Sequence, residues 1–149
     1  MAARSETRRV GQLLAVAAGA AETLATEALE PFALTPRGWG VLSTLVESGP
    51  LSQSRLGQAT ATDRTVMVYL LDELERRRLV RRVRNPDDRR SFLVELTPTG
   101  RDLQGRAAAV LAERSATLLE PLTASEREQL IDLLRRLAAH WQAQRPAAP

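Results

Sequence analysis

Between Arg55 and Arg90 the chain carries ten arginines (55, 64, 76, 77, 78, 81, 82, 84, 89 and 90) against six carboxylates. That window is net +4, whereas the whole chain of 149 residues is only +3. All of its 21 basic residues are arginine. A guanidinium is a planar fork of donors that stays charged and matches phosphate oxygens. A local basic stripe on a near-neutral body is the electrostatic footprint of phosphate binding, and a nucleic acid is the polymer that offers phosphates in a row. The chemistry written here is recognition rather than catalysis. No Gly-rich loop follows a strand, and no nucleophile, base and orienting group stand at workable spacing. The chain has no cysteine, which removes disulfides, thiolate metal sites and thiol-based peroxide sensing. Its single histidine, His140, argues against a transition-metal site. No cofactor is implied.

The elements that must position the arginines can be read next. Met67, Leu70, Leu71 and Leu74 fall at i, i+3, i+4, i+7, which predicts a helix over about Asp63 to Arg77 with one buried face. Before it, Ser52 caps a short helix containing Leu56 and Ala59, and Thr60 to Thr62 make the turn. After it, Leu79–Arg84 and Ser91–Leu96 alternate like strands around Asn85-Pro86-Asp87-Asp88-Arg89-Arg90, a run of turn formers. Helix, turn, helix and two-stranded hairpin together make a winged helix. Such a module places its second helix in a DNA major groove and a basic loop beside it.

Long helices flank this module. Val10, Leu13, Leu14, Ala17, Ala21, Leu24 and Ala28 keep helical period from Thr7 to Leu29, with residues 1–6 expected to be disordered and Pro31 ending the helix. Thr35-Pro36 starts a second helix, which carries Trp39, Leu42, Leu45 and Val46 and closes at Gly49-Pro50. Thr97-Pro98 starts a long helix to Glu120. Thr123 to Glu126 is a capping box that opens a last helix with Leu130, Ile131, Leu133, Leu134, Leu137 and Trp141 on a broad apolar face. The outer helices hold more apolar face than so small a module can cover. A second copy of the chain is the simplest cover, since two-fold dimers are the commonest oligomers. The fold class is therefore mostly α with a small β-hairpin, an α+β winged helix-turn-helix. Residues 1–30 and 101–145 form the dimerisation region, and residues 31–100 form the DNA-binding domain. No apolar run approaches the ~20 residues a membrane span needs. A cytoplasmic location is the default expectation.

Leu79-Val80-Arg81-Arg82, then Pro86-Asp87-Asp88-Arg89-Arg90, then Leu96-Thr97-Pro98-Thr99-Gly100 resembles the MarR family of bacterial transcriptional regulators. The resemblance runs from about residue 10 to 142. It implies an intertwined winged-helix dimer that binds a pseudo-palindromic DNA operator, in many members released by a small phenolic or anionic ligand. The chain departs from the family pattern at Arg78, where a glycine usually ends the recognition helix. It departs again at Val66, Val68 and Tyr69, where threonines and a basic residue are commoner.

On this reading Arg64, Thr65, Val66, Val68 and Tyr69 lie off the buried face and enter the major groove. Arg64 would meet a guanine edge or a phosphate, and the valines would meet thymine methyls. A solvated face is the alternative, though two valines and a tyrosine are poor solvent residues. Arg89 and Arg90 sit at the wing tip, where an arginine can enter a narrow minor groove. The resemblance favours Arg90 for that role, with Asp88 bracing it by an ion pair. Within the dense run Arg76, Arg77, Arg78, Arg81 and Arg82, some side chains meet phosphate and some meet water. Arg77 and Arg82 are taken as the phosphate candidates, with Arg55 at the start of the short helix. Trp39 is a candidate for lining the family's ligand pocket, and a core position is its alternative. The partners expected are double-stranded DNA, a second copy of the chain and a small aromatic or anionic effector, with no membrane. A repressor is the leading role. A winged helix used for protein–protein contact without DNA is the alternative, and it would have no need of the arginine stripe.

Overall fold

The structure is a computed structural model and describes residues 2–88 and 90–144. The chain forms two compact units, Met1–Ser115 and Ala116–Pro149. The first begins with helix α1 (Ala2–Leu29), followed by a 3-10 turn (Glu30–Phe32) and helix α2 (Pro36–Ser48). A two-residue strand β1 (Leu51–Ser52) leads into α3 (Gln53–Ala59), α4 (Arg64–Arg76), β2 (Val80–Arg84) and β3 (Phe92–Leu96). Helix α5 (Pro98–Leu118) starts in the first unit and ends in the second, which continues with α6 (Ala124–Gln144).

Two expectations need correcting. The stretch expected to be disordered is helical from Ala2. Residues 2–6 contain alanines, an arginine and a glutamate, all good helix formers, and no breaker. The hairpin is also part of a three-stranded antiparallel sheet of order β1-β3-β2. Leu51 pairs with Val94 and Ser52 with Leu93. A two-residue strand carries no periodicity, so only the tertiary structure reveals it.

The core of the first unit draws on every element from the end of α1 to α5. Leu29, Val41, Leu42, Leu45, Leu56, Met67, Leu71, Leu74, Val80, Val94 and Ala107 are buried together. Helix α2 starts as its sequence dictates. Thr35 Oγ1 accepts from the Gly38 N–H at 3.0 Å, Pro36 follows, and Gly49 closes the helix at φ 72. In the second unit the capping box forms, with Glu126 Oε2 accepting from the Thr123 N–H at 2.8 Å and Thr123 Oγ1 accepting from the Glu126 N–H at 3.3 Å. The Arg127 Nε–H donates to the carbonyls of Leu119 and Leu122 and ties the turn before α6. No described helix is long and apolar enough to cross a membrane.

Candidate nucleic-acid interface

Helix α4 is held on one face and open on the other. Its N-cap is Asp63, whose Oδ1 accepts from the Thr65 N–H at 2.8 Å. That hydrogen bond is the main reason the Asp63 carboxyl lies below its ordinary range. The approach from α3 is fixed by threonines. Thr60 Oγ1 donates to the Leu56 carbonyl at 2.8 Å and meets Thr62 Oγ1 at 2.9 Å. Met67, Leu71 and Leu74 face inward with no more than 1% exposure. Arg64, Thr65, Val66, Val68 and Tyr69 are all exposed, Tyr69 at 72%. Val66 and Val68 flank the buried Met67 on its two sides, and they and Tyr69 are exposed apolar residues on a helix otherwise packed through its inner face.

The far end of α4 is bolted down. Arg77 N–H, Arg78 N–H and Leu79 N–H return to the carbonyls of Glu73, Glu75 and Leu74 in a left-handed stop. Arg78 takes the left-handed position at φ 58, where a side chain is disfavoured. The next link is Thr97, whose Oγ1 donates to the Arg78 carbonyl at 2.6 Å and accepts from the Gly100 N–H at 3.0 Å as the cap of α5. Gly100 is required here, because a Cβ at this position would lie 1.9 Å from the Leu79 carbonyl oxygen.

The dense arginine run divides by what each side chain touches. Arg82 on β2 reaches back to α4, donating from Nη2 to Asp72 at 2.6 Å, with Nη1 on Glu75. Its backbone N–H also donates to Glu75 Oε1 at 3.0 Å. Partial burial lowers its pKa, but the hydrogen bonds it donates to Asp72 and Glu75 outweigh this and hold it above its ordinary value. Arg77 donates to the carbonyls of Ala33 and Phe32. Arg82 fixes the hairpin against α4, and Arg77 fixes α4 against the turn after α1. Arg77 and Arg82, the two expected to meet phosphate, thus each commit two of their five guanidinium N–H donors to partners within the chain. Arg76 pairs with Glu73 at 2.7 Å and Arg81 pairs with Glu95, both on exposed surface where such pairs are weak. Arg55 is exposed in the first turn of α3, behind the Ser52 cap.

The wing tip is folded by its own short side chains. Asn85 N–H donates to the Ser91 carbonyl at 3.1 Å, and Asn85 Oδ1 accepts from the Asp87 N–H at 3.0 Å. Asp88 Oδ1 accepts from the backbone N–H of Arg90 at 3.0 Å, and the Asp88 carbonyl accepts from the Ser91 N–H at 3.0 Å. Asp88 does brace the loop, but through the Arg90 backbone and not through an ion pair with its guanidinium. A side chain this short reaches its own backbone two residues on more readily than the end of an arginine. Arg90 is exposed, and Arg89 lies outside the described residues. The sequence reading missed the pair at the base of the wing. Arg84 and Phe92 face each other in register, and the guanidinium lies 5.6 Å from the ring centroid. An aromatic at the first residue of β3, with arginine closing β2, is the signal that was available.

Trp39 packs, partly buried, against the core, and its Nε1 is enclosed with no acceptor among the described residues. No group of three His, Asp or Glu placed to hold a metal occurs among the described residues.

A family model described as the MarR family matches residues 34–91. The chain is 33% identical over 104 residues to a putative transcriptional regulatory protein for the hcr operon of Thauera aromatica. That match takes in 70% of this chain and 63% of the relative's length. Among solved structures, CouR from Rhodococcus jostii RHA1 bound to p-coumaroyl-CoA is 31% identical, with a TM-score of 0.80 over 87% of this chain and 91% of that one. A mutant of MarR from E. coli in complex with operator DNA is 26% identical, with a TM-score of 0.78 over 89% of this chain and 95% of that one. Together with the α3–α4–hairpin arrangement, these similarities establish that the chain belongs to the MarR family of transcriptional regulators.

Proposed function

We propose that the protein is a dimeric, sequence-specific DNA-binding repressor that leaves its operator when a small aromatic or anionic compound binds. The observation that carries this reading is the outer face of α4. Arg64, Val66, Val68 and Tyr69 are exposed on a helix whose inner face and far end are fixed, beside a wing tip pre-folded around Arg90. The exposed valines suit thymine methyls, and Arg64 at the first helical position suits a base edge or phosphate. Arg90 belongs in the minor groove, which it would read by shape and charge. Arg55, Thr65 and Arg89 complete the proposed contact set.

The dimer is supported by uncovered apolar surface in each unit. In α1, Val10 is 49% exposed, Leu13 60% and Val16 71%. In α6, Leu133 is 52% exposed, Leu137 53% and Trp141 62%. Water contact at these positions costs about 25 cal/mol per Å2 of apolar area, and a second copy removes it. Release by a ligand is supported by the relative that binds p-coumaroyl-CoA. In a chain without cysteine the switch is non-covalent.

The test is selection of bound fragments from the source genome by the purified protein, followed by footprinting. The proposed function gives two protected half-sites about one helical turn apart on one side of the duplex. Sedimentation gives twice the 16.4 kDa chain mass. No enriched sequence, with affinity unchanged between low and moderate salt, would instead support a protein-binding winged helix.

A further inference from the structure

The turn between α1 and α2 is gripped by two distant elements at once. Glu30–Phe32 form a 3-10 turn, and Ala33 closes it in the left-handed region at φ 49. From the C-cap of α4, Arg77 donates Nη1–H to the Ala33 carbonyl at 2.5 Å and Nη2–H to the Phe32 carbonyl at 2.9 Å. These contacts join residues 44 and 45 positions apart. From α5, the Arg106 guanidinium lies 5.7 Å from the centroid of the Phe32 ring. The turn and its closing residue Ala33 therefore touch α4 through two successive carbonyls and α5 through the Phe32 ring.

We infer that Arg77 is a positioning residue for DNA reading, a bidentate latch that sets the angle of α4 by tying its C-terminal end to the α1–α2 turn. The inference rests on the reading of α4 as the DNA helix. The inner face of α4 packs through Met67, Leu71 and Leu74, and apolar packing is non-directional. Hydrogen bonds to two successive carbonyls are directional, and a planar guanidinium fork holds both donors in a fixed relative geometry that a rotating ammonium does not. A displacement of α1 or α5 that moves Phe32 thus moves the carbonyls that hold the end of α4. The turn is a mechanical junction between the helices at the ends of the first unit and the proposed DNA-reading helix. This accounts for an arginine whose charge faces backbone carbonyls rather than a carboxylate.

The experiment compares full-length wild type, Arg77→Gln and Arg77→Lys on the selected operator and on an unrelated duplex, over a range of salt. The latch predicts that both variants lose operator affinity at least tenfold. Their salt slope and their affinity for unrelated DNA stay unchanged, because no phosphate contact is lost. Lysine fails to rescue, since a single ammonium cannot span both carbonyls in a planar fork. A slope flattened by about one unit, with equal losses on both duplexes and rescue by lysine, would make Arg77 a phosphate contact and overturn the latch. A lowered melting temperature with unchanged affinity per folded dimer would overturn it as well. If wild type selects no DNA, the DNA reading fails and the latch is judged by hydrogen exchange. Arg77→Gln must then raise exchange in residues 30–34 and in the last turn of α4 together, and a rise in only one overturns the latch.

Discussion

The module around α4 and the helix α6 are built from the same apolar residues with opposite results. In the module Leu42, Leu56, Met67 and Leu71 are fully buried. In α6 no residue is buried, and Ile131, Leu133, Leu134, Leu137 and Trp141 are between 43% and 62% exposed. The difference separates a core closed within the chain from a helix whose apolar face meets solvent. The module satisfies its core from within and leaves the outer face of α4, the proposed DNA-reading face, exposed. The apolar face of α6 stays exposed, and it is the face proposed to meet a second copy of the chain.

The comparison breaks most sharply at Gly100. Gly100→Ala places a Cβ against the Leu79 carbonyl oxygen at 1.9 Å and forces the α4–β2 junction away from α5. The expected cost is of order 3 kcal/mol in chemical denaturation. A loss below about 1 kcal/mol would mean that the junction yields easily, and the module is less closed than it looks.

Next comes the α6 face. Leu137→Glu puts a charge where a second copy is proposed to pack, and should weaken association by roughly 2 kcal/mol, about thirtyfold. Sedimentation should then show the 16.4 kDa chain, with the helical circular dichroism of the module retained. An unaltered dimer would remove α6 from the proposed interface.

A smaller effect lies in the module's own imperfection. Arg78 holds a left-handed φ of 58 that glycine adopts freely. Arg78→Gly should therefore raise stability by about 0.5–1 kcal/mol, with the relief of backbone strain partly offset by the freer unfolded chain. The melting temperature of the variant checks this, and a decrease would show that the Arg78 side chain stabilises the fold by more than its backbone costs.

The smallest effect is one of pH, and it appears in both regions. Asp63 at the start of α4 and Glu126 at the start of α6 are each held below their ordinary values of 3.8 and 4.5, chiefly by backbone N–H groups of Thr65 and Thr123. A folded pKa lowered in this way gives stability that is present above the ordinary value. It is lost as pH falls through the folded one. Stability should therefore decline in acid below those values. Asp63→Asn, which can still cap but not titrate, should flatten part of that decline in melting temperature against pH. An unchanged profile would show that Asp63 contributes no linkage.

Most of the fold was legible because its signals are local. The i, i+3, i+4, i+7 spacing of Met67, Leu70, Leu71 and Leu74, the Thr35-Pro36 start and the Thr123–Glu126 box each specify an element from neighbouring residues. Strand β1 was not legible, because two residues have no period and pair only through β3. The arginines divide in the same way. Their density predicted a basic surface, but Arg77 and Arg82 meet partners that lie far off in sequence or on another element, and composition cannot sort such contacts from solvated ones. Asp88 bracing its loop was readable, whereas the atom it braces was set by the turn geometry.

The central claim is that α4 reads bases and the wing reads shape. It is tested most directly by titrating wild type, Val68→Ala and Arg90→Ala against operators carrying every single-base change. Val68→Ala should cost ~1–3 kcal/mol on the best operator and relax preference at one position per half-site. Arg90→Ala should weaken binding on nearly all variants alike, with a salt slope flatter by about one unit where the lost contact is to phosphate. If Arg90→Ala binds as tightly as wild type and Val68→Ala leaves every preference unchanged, neither element touches DNA and the account is wrong.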